Sequence, residues 1–332
     1  MTTVSDLTES ELIERIRRLL PPAPDWLVVG IGDDAAVVVP ARNRLEVLTV
    51  DAIVEGVHFD PAFTPPAAVG HRALAVNLSD LAAMGAEPRL ALLSFALPAD
   101  YACADFESLV TALAALARQH GVHVAGGNLT RSPGPLMIDV TLAGAVKRRQ
   151  ALTRGGARPG DEIYVSGSIG AAAAGLEILR KPGLKGPAYA ECTARYLFPE
   201  PRVRLGLALA RNRAATACVD LSDGLGDGVR RIAEASAVGA VIEAEAVPVE
   251  PGAAKWFGEQ GKEPVAAAIS GGDDYELLFT VRPRLRGRLT AARHHGKAPF
   301  TRIGVCTEDR ALVLRRESGI DGPVPDGYTH FR

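Results

Sequence analysis

Closely spaced aspartates lie in glycine-rich segments of this chain, next to runs of apolar residues. The segments are Gly30-Ile31-Gly32-Asp33-Asp34, Asp51 after the run Val47 to Val50, Asp220-Leu221-Ser222-Asp223 before Gly224, and Gly271-Gly272-Asp273-Asp274. Asp80 interrupts the apolar run Ala73 to Met84, at helical spacing from its leucines. Neighbouring carboxylates repel each other, and a carboxylate on an apolar helix face is costly to bury without a counter-charge. The pattern therefore calls for a cation.

Each aspartate taken alone has a simpler explanation, because Asp beside Gly is common in turns and Asp often begins a helix. The set as a whole favours a cation site, since Arg72 and Arg89 are the basic residues nearest to Asp80 in sequence. Oxygen ligands without His or Cys suit Mg²⁺ rather than zinc or copper. Several Asp around Mg²⁺ are typical of sites that handle nucleotide phosphates.

Glycine pairs offer backbone amides that could bind phosphate, as turns and helix N-termini do. They are Gly126-Gly127, Gly155-Gly156 beside Arg154, and Gly167 with Gly170. For Gly167 to Gly175, close packing of a helix on a strand is the stronger explanation. The spacing there does not match a dinucleotide-binding fingerprint, and neither a Walker A motif nor the protein-kinase motifs occur. A nucleotide enzyme with this sequence must use another scaffold.

The composition excludes several classes of protein. The 332 residues are 47% hydrophobic and 23% charged with a net charge of −2, which fits a globular protein without affinity for nucleic acid. The longest apolar runs are too short to span a bilayer, and the acidic N-terminus does not resemble a secretory signal. Cys103, Cys192, Cys218 and Cys306 are scattered, which disfavours zinc and disulfides. We expect a cytoplasmic protein.

Short β-type runs alternate with Ala- and Leu-rich helical runs, which predicts an α/β or α+β fold. The capping box Thr8 to Glu11 predicts a helix that ends near Leu20. Strands are predicted at 47–50, 90–97, 122–125, 137–146, 162–166, 217–221, 240–244, 265–269, 276–281 and 300–306. Helices are predicted at 67–84, 106–120, 171–180, 201–211 and 226–236.

One segment has the composition of a domain boundary. Residues 147–161 are basic and then rich in Gly and Pro, and they separate two strong strand predictions. We therefore expect an N-terminal domain over residues 1–150 and a C-terminal domain over residues 151–332.

Taken in order, the motifs resemble those of the thiamine-monophosphate kinase family. The matching segments are Gly30 to Ala36, Asp51 with His58-Phe59, Ala73 to Gly85, Leu152-Thr153-Arg154 with Arg158 to Asp161, Asp220 to Leu225, Ser270 to Leu277, and Gly327-Tyr328 with His330-Phe331. They cover the chain from about residue 30 to residue 331.

The resemblance implies the two-domain α/β fold of aminoimidazole ribonucleotide synthetase. In that fold an N-terminal sheet domain dimerises and a C-terminal α/β domain completes the ATP site. The implied reaction is direct, in-line transfer of the terminal phosphoryl group of ATP to thiamine phosphate. Mg²⁺ ions would screen the repulsion between the two phosphate groups. The acceptor oxygen is already ionised, so no strong general base is needed.

The resemblance also implies roles for individual residues. The metal ligands would be Asp34, Thr49, Val50, Asp51, Asp80, Asn128, Asp220 and Asp223, with Asp80 and Asp223 the most directly catalytic. Gly127, Asn128, Arg154 and Ser222 would contact ATP. His58, Asp273 and Tyr328 would bind thiamine phosphate.

This chain departs from the family pattern at three of these positions. Val50 stands where the family has Thr and offers only its backbone carbonyl. Asn128 stands where the family has Asp, and Asp273 where it usually has Glu. The first two changes would fall on the same ion, so we expect that ion to be bound weakly and to require more free Mg²⁺.

Three alternatives remain to be weighed. Selenophosphate synthetases share the scaffold but carry a reactive Cys or selenocysteine near the N-terminus, whereas the first Cys here is Cys103. Hydrogenase-maturation dehydratases of the same superfamily end in a Cys tail, which this chain lacks. A third alternative is an ATP-binding protein of the same superfamily that has altered specificity or that has lost turnover through the change to Asn128.

Overall fold

The computed structural model describes residues 2–181, 183 and 186–329, and these form two compact units. Unit 1 comprises the residues up to 81 together with 87–148, and unit 2 comprises 82–86 together with the residues from 149 onwards. Apart from residues 82–86, the chain passes from unit 1 to unit 2 between Arg148 and Arg149, inside the segment that has the composition of a boundary.

Unit 1 is built on a mixed sheet in the order β3-β6-β4-β5 and a small antiparallel pair, β1-β2. Its elements are α1 (Glu9–Leu19), β1 (Leu27–Val29), β2 (Val37–Val38), β3 (Arg44–Val54), α2 (Pro66–Ala83), β4 (Glu87–Pro98), α3 (Cys103–His120), β5 (His123–Ser132) and β6 (Met137–Lys147). Helix α1 begins at the predicted capping box, where the Thr8 hydroxyl accepts from the Glu11 N–H and Glu11 accepts from the Thr8 N–H.

The two faces of this sheet differ in their environment, because side chains alternate along each strand. One face is buried under helices: Phe95 of β4 packs edge-to-face on Phe106 of α3 at 5.6 Å, and Thr49 of β3 bonds to Asp80 of α2. We call this the helix face. The other face, the open face, leaves Leu48 69% and Val50 58% exposed. Residues that follow one another along a strand are therefore divided between two different surroundings.

Unit 2 contains a sheet in the order β13-β12-β9-β11-β7-β10-β8, packed against helices. Its elements are β7 (Glu162–Ser166), α4 (Ala171–Leu179), α5 (Ala190–Leu197), α6 (Val203–Asn212), β8 (Ala217–Asp220), α7 (Leu225–Ser236), β9 (Gly239–Glu243), α8 (Pro251–Glu259), α9 (Pro264–Ser270), β10 (Leu277–Val281), α10 (Arg286–Gly296), β11 (Phe300–Thr307), β12 (Leu312–Arg315) and β13 (Gly322–Pro323). None of the helices in the described part of the chain has the length and hydrophobicity of a membrane span.

The predicted mixture of strands and helices is confirmed, but one predicted strand is wrong. Residues 265–269 belong to helix α9, whose N-cap Glu263 accepts hydrogen bonds from the N–H groups of Val265 and Ala266. A five-residue apolar run does not distinguish a buried strand from a helix, whereas Glu263-Pro264 is a helix-start signal. Asp273 and Asp274 therefore follow a helix, not a strand. Helices α5, α8 and α10 were not predicted.

Candidate active site

In unit 1 the first group of predicted ligands lies on the helix face of β3. Thr49 and Asp51 are two residues apart and point to the same side, and the Thr49 hydroxyl donates a hydrogen bond to Asp80 of α2. The sequence predicted that Asp80 would be a buried carboxylate without a counter-charge. Asp80 is instead partly exposed. It remains available to a ligand.

His58 lies beyond the end of the same strand. Its ring Nδ1 accepts a hydrogen bond from the backbone N–H of Val54 at 3.1 Å. The backbone N–H of His58 donates in turn to the Val54 carbonyl at 2.9 Å. An Nδ1 that accepts a hydrogen bond carries no proton, so the neutral ring has its proton on Nε2. The turn thus orients His58 as a donor through Nε2.

The second group lines a cleft of about 430 Å³ on the open face. Its walls include Asp33 and Asp34 after β1, Ser94 of β4, Asn128 of β5 and Asp139 of β6. Asp34 and Asn128 were predicted as ligands, whereas Asp139 was not considered.

Gly127 lies beside Asn128 and has a packing role. A Cβ at this position would collide with the Leu93 carbonyl oxygen, because β4 and β5 approach closely there. Only glycine fits such a contact. The packing accounts for this glycine, and its predicted contact with ATP remains a prediction.

Val50 and Asn128 cannot bind the same ion within one chain. Val50 is on β3 and Asn128 on β5, which are opposite edges of the sheet. Three strand spacings separate them, roughly 14 Å, whereas Mg²⁺ binds oxygen at about 2.1 Å. The expectation that both changes fall on one ion is therefore wrong for a single chain, because the strand order was not known from sequence.

The donor set of unit 1 suits Mg²⁺ that arrives with a nucleotide. Every candidate ligand is an oxygen donor. Within residues 2–181, 183 and 186–329, no three His, Cys, Asp or Glu side chains form a metal cluster by themselves. Mg²⁺ in phosphate sites is usually held by one or two carboxylates, with water and phosphate oxygens completing the shell. Asp51 and Asp80, with the Thr49 hydroxyl, fit that arrangement.

In unit 2 three segments that are far apart in sequence meet. The Asp273 N–H donates to the Ser222 carbonyl at 2.7 Å, and the Tyr328 N–H donates to the Asp223 carbonyl at 2.9 Å. Asp220, at the end of β8, pairs in register with Leu277 of β10. The predicted ligands and the predicted acceptor contacts of unit 2 are therefore neighbours. His330 and Phe331, which complete the last motif, lie outside the described residues.

Asp223 already has a cationic partner in the protein. Its carboxylate pairs with Arg231 of α7 at 3.1 Å, and Arg231 also pairs with Asp227. The charge of Asp223 therefore does not by itself require a metal ion.

Arg154 is exposed on a loop that Ser236 holds in place. The Ser236 hydroxyl donates to the Arg154 carbonyl at 3.2 Å and accepts from the N–H groups of Gly156 and Ala157 at 3.2 and 3.1 Å. Ser236 ends α7 and was not predicted to matter, because only the tertiary structure brings it to residues 154–157.

The loop before β10 has an unusual backbone. Asp273 and Tyr275 both adopt left-handed conformations, with φ of 67° and 50°. The Tyr275 hydroxyl donates to Asp273 at 2.9 Å. Non-glycine residues are rare in this region, and they concentrate at functional sites. The strain supports a functional role for Asp273.

Asp274 has a structural role in the same loop. It is buried and accepts hydrogen bonds from the Gly170 N–H at 2.8 Å and the Ala172 N–H at 3.4 Å, so it caps helix α4. Burial raises the pKa of Asp274 to about 7 from an ordinary value of 3.8. The N–H groups at the helix N-terminus oppose that shift without cancelling it.

The raised pKa of Asp274 predicts a pH-dependent stability. A carboxyl whose pKa is higher in the folded state stabilises the fold most below its unfolded pKa, and that contribution is lost as pH rises through the folded pKa. We expect the free energy of unfolding of the wild type, relative to Asp274→Asn, to fall between about pH 4 and about pH 7 and to level off above that. Urea unfolding across this range measures the difference, and a difference that does not change with pH would contradict the assignment.

A buried ion cluster lies beneath this loop and was not predicted. Glu276 is fully buried and binds Ser166 at 2.5 Å, Arg195 at 2.7 Å and Arg202 at 2.6 Å. Gly167 has φ of 55° and lies so close that a Cβ would overlap the Glu276 carboxylate. Glu276 thereby joins the Gly167 loop to the loop that carries Asp273. Its partners lie 74 to 110 positions away in sequence, so no local pattern could have identified the cluster.

Family models match both halves of the chain. The model of "AIR synthase related protein, N-terminal domain" matches residues 32–146, and that of "AIR synthase related protein, C-terminal domain" matches residues 158–317. These matches confirm the predicted two-domain α/β fold.

Individual relatives are more specific. The chain is 41% identical over 312 residues to thiamine-monophosphate kinase of Escherichia coli strain K12, covering 91% of this chain and 92% of the relative. It resembles the crystal structure of thiamine-monophosphate kinase from Stenotrophomonas maltophilia K279a with a TM-score of 0.82 at 38% identity, over 94% and 97% of the two chains. It also resembles AaThiL complexed with AMPPCP and TMP, with a TM-score of 0.77 at 31% identity over 100% and 99%.

Proposed function

The chain belongs to the thiamine-monophosphate kinase family, and we propose that it transfers the terminal phosphoryl group of ATP to thiamine phosphate, giving ADP and thiamine diphosphate. The observation that carries the proposal is the 41% identity to a thiamine-monophosphate kinase over 91% of this chain, which spans both domains. The structure of a relative at 31% identity with AMPPCP and TMP supports the pairing of a nucleotide with this acceptor.

The proposed step needs no group that removes a proton. A phosphate oxygen of thiamine phosphate attacks the γ-phosphorus of ATP, a new P–O–P bond forms, and the bond to ADP breaks in line. The attacking oxygen is ionised at neutral pH, so the protein has to align the two phosphates and offset their repulsion. Carboxylates that recruit divalent cations suit this task, and His58 need not act as a base.

Mg²⁺, when bound, screens the charge of the two phosphate groups and stabilises the charge that develops during transfer. On the helix face, Asp51, Asp80 and the Thr49 hydroxyl would hold it. In the cleft on the open face, Asp34 and Asn128 would be the Mg²⁺ ligands. In unit 2, Asp220 and Asp223 are the corresponding ligands.

The remaining predicted residues bind the two substrates. Arg154 offsets phosphate charge of ATP from the loop that Ser236 holds, and Ser222 and Gly127 contact the nucleotide. His58 donates through Nε2 to thiamine phosphate, which Asp273 and the exposed Tyr328 also contact. These roles follow the family motifs and are compatible with the exposure of each side chain.

The same family implies a homodimer, and the open face supports that proposal. Leu48, Val50, Leu92 and Met137 all point to this face and are between 38% and 69% exposed. Several large apolar side chains exposed on one face of a sheet are typical of a protein interface. The cytoplasmic location that the composition predicts remains a prediction.

An ADP-release assay tests the proposed function. We expect release of ADP from ATP and Mg²⁺ to depend on thiamine phosphate, with thiamine diphosphate formed in equal amount. Purified Asp80→Asn protein, prepared identically, controls for contaminating kinases. ADP release that does not respond to thiamine phosphate, or no release at all, would favour the alternative of an ATP-binding protein of the same superfamily with altered specificity or without turnover.

A further inference from the structure

Arg195 of helix α5 is a largely buried arginine that none of the motifs contains. Its side chain is 14% exposed, and its Nη2 atom donates to the Glu276 carboxylate at 2.7 Å and to the Ser168 carbonyl at 3.2 Å. The two acceptors belong to different segments, because Ser168 lies in the turn between β7 and α4 and Glu276 lies just before β10. Arg195 therefore joins these two segments.

Asp273 lies in the loop of residues 271–276, which we call the acceptor loop, and its backbone conformation needs support. Asp273 and Tyr275 have φ of 67° and 50°. Non-glycine residues persist in this region only where the surrounding structure holds them there. Hydrogen bonds from their N–H groups to the carbonyls of Ser222 and Leu221 fix one side of the loop. The side chains that alternate with them fix the other side.

Two buried carboxylates make up this other side of the acceptor loop. Asp274 accepts a hydrogen bond from the Gly170 N–H at 2.8 Å. Glu276 accepts one from the Ser166 hydroxyl at 2.5 Å. Two negative charges this close are costly to bury without a cation. Arg195 provides a positive charge to both, because it pairs with Glu276 and opposes the rise in the pKa of Asp274 that burial causes.

Arg202 binds the same carboxylate but has a different second partner. It donates to Glu276 at 2.6 Å, and its side chain is 12% exposed, close to the 14% of Arg195. Its other ion pair is with Glu200, which precedes α6. The two arginines thus share their burial and the ion pair with Glu276, whereas the contact with the turn before α4 belongs to Arg195.

We propose that Arg195 is a positioning residue for the phosphate acceptor, because it joins the turn before α4 to the acceptor loop and so holds Asp273 where thiamine phosphate binds. The inference rests on the proposed function, in which Asp273 contacts thiamine phosphate. Arg195 acts through Glu276 and need not touch the substrate. Without this link the acceptor loop has to be ordered when the substrate binds, which costs affinity. The affinity for ATP should change less.

Calorimetric titration of thiamine phosphate into the protein with AMPPCP and Mg²⁺ tests this proposal without any turnover. Arg195→Met removes the charge and both hydrogen bonds but keeps a long unbranched side chain. We expect the Kd for thiamine phosphate to rise roughly tenfold or more, and the Kd for AMPPCP to stay within about threefold of wild type. Steady-state kinetics should show the same division, with a larger change in the KM for thiamine phosphate than in the KM for ATP.

Arg202→Met is the matched control, because it removes an equally buried arginine from the same carboxylate. It should lower the melting temperature at least as much as Arg195→Met, while the Kd for thiamine phosphate changes less than about threefold. If either methionine variant does not fold, as judged by circular dichroism, Arg195→Lys and Arg202→Lys replace the pair with the same expectations. Equal weakening by the two substitutions, or wild-type affinity in the Arg195 variant, would overturn the proposal.

The ADP-release assay separates this proposal from the proposed function. Thiamine phosphate binding that depends on Arg195, in a protein without thiamine phosphate-dependent turnover, would overturn the function and leave the positioning role standing. Normal turnover with a Kd that is independent of Arg195 would overturn only the role of Arg195. A wild type that does not bind thiamine phosphate would overturn both.

Discussion

Replacing Asp80 by Asn is expected to lower the rate of phosphoryl transfer at least about a hundredfold while leaving the protein folded, because loss of one preorganised charge-stabilising group typically costs that much. Asp80 lies on α2 and faces β3, and its carboxylate accepts a hydrogen bond from the Thr49 hydroxyl. The carbonyl oxygen of Asn can still accept that hydrogen bond, but the substitution removes the negative charge that holds a divalent cation. The substitution therefore separates the electrostatic role of Asp80 from its structural role.

The measurement is kcat for thiamine phosphate-dependent ADP formation at saturating Mg²⁺, with the melting temperature as a check on folding. Asp105→Asn is the control, because Asp105 is an exposed carboxylate in the first turn of α3, in the same unit. It should retain wild-type kcat. Near-normal turnover of Asp80→Asn would remove Asp80 from the catalytic machinery.

Replacing Glu276 by Gln is expected to destabilise unit 2 by about 3–5 kcal/mol, the usual cost of removing one partner from a buried ion pair. Glu276 is the shared counter-charge of Arg195 and Arg202, whose side chains are only 14% and 12% exposed. A neutral amide removes the buried carboxylate that the two guanidinium groups share, and leaves Arg202 paired with the exposed Glu200. Glu200→Gln is a closely matched control, because Glu200 pairs with the same Arg202 at 2.9 Å but is 69% exposed. Its loss should cost less than about 1 kcal/mol.

Urea unfolding followed by tryptophan fluorescence measures this effect. The chain has two tryptophans, Trp26 in unit 1 and the buried Trp256 in unit 2. A Trp26→Phe background therefore makes the signal report on unit 2. Equal shifts of the unfolding midpoint for the two glutamate variants would show that the contribution of Glu276 to the stability of unit 2 does not depend on its burial.

Several features were predictable because they depend on residues close together in sequence. The Thr8 to Glu11 capping box identified the start of α1, and long periodic runs identified α2 and α3. The aspartate-rich motifs indicated phosphate chemistry, and their order along the chain indicated the family. Local patterns failed where they were short, as at α9, because five apolar residues fit a strand and a helix equally well.

The sequence by itself thus determined the family, the two-domain α/β fold and the residue types available for metal and phosphate. Only the tertiary structure decided which of them share a site. Strand order separates Val50 from Asn128, and register places Asp139 and Asn128 on opposite sides of Ser94. Folding also buries Glu276 between two arginines, and it brings Arg231 into an ion pair with Asp223. The physical reason is that side-chain alternation tells which residues share a face of one strand, whereas strand order and long-range contacts arise from packing between distant segments.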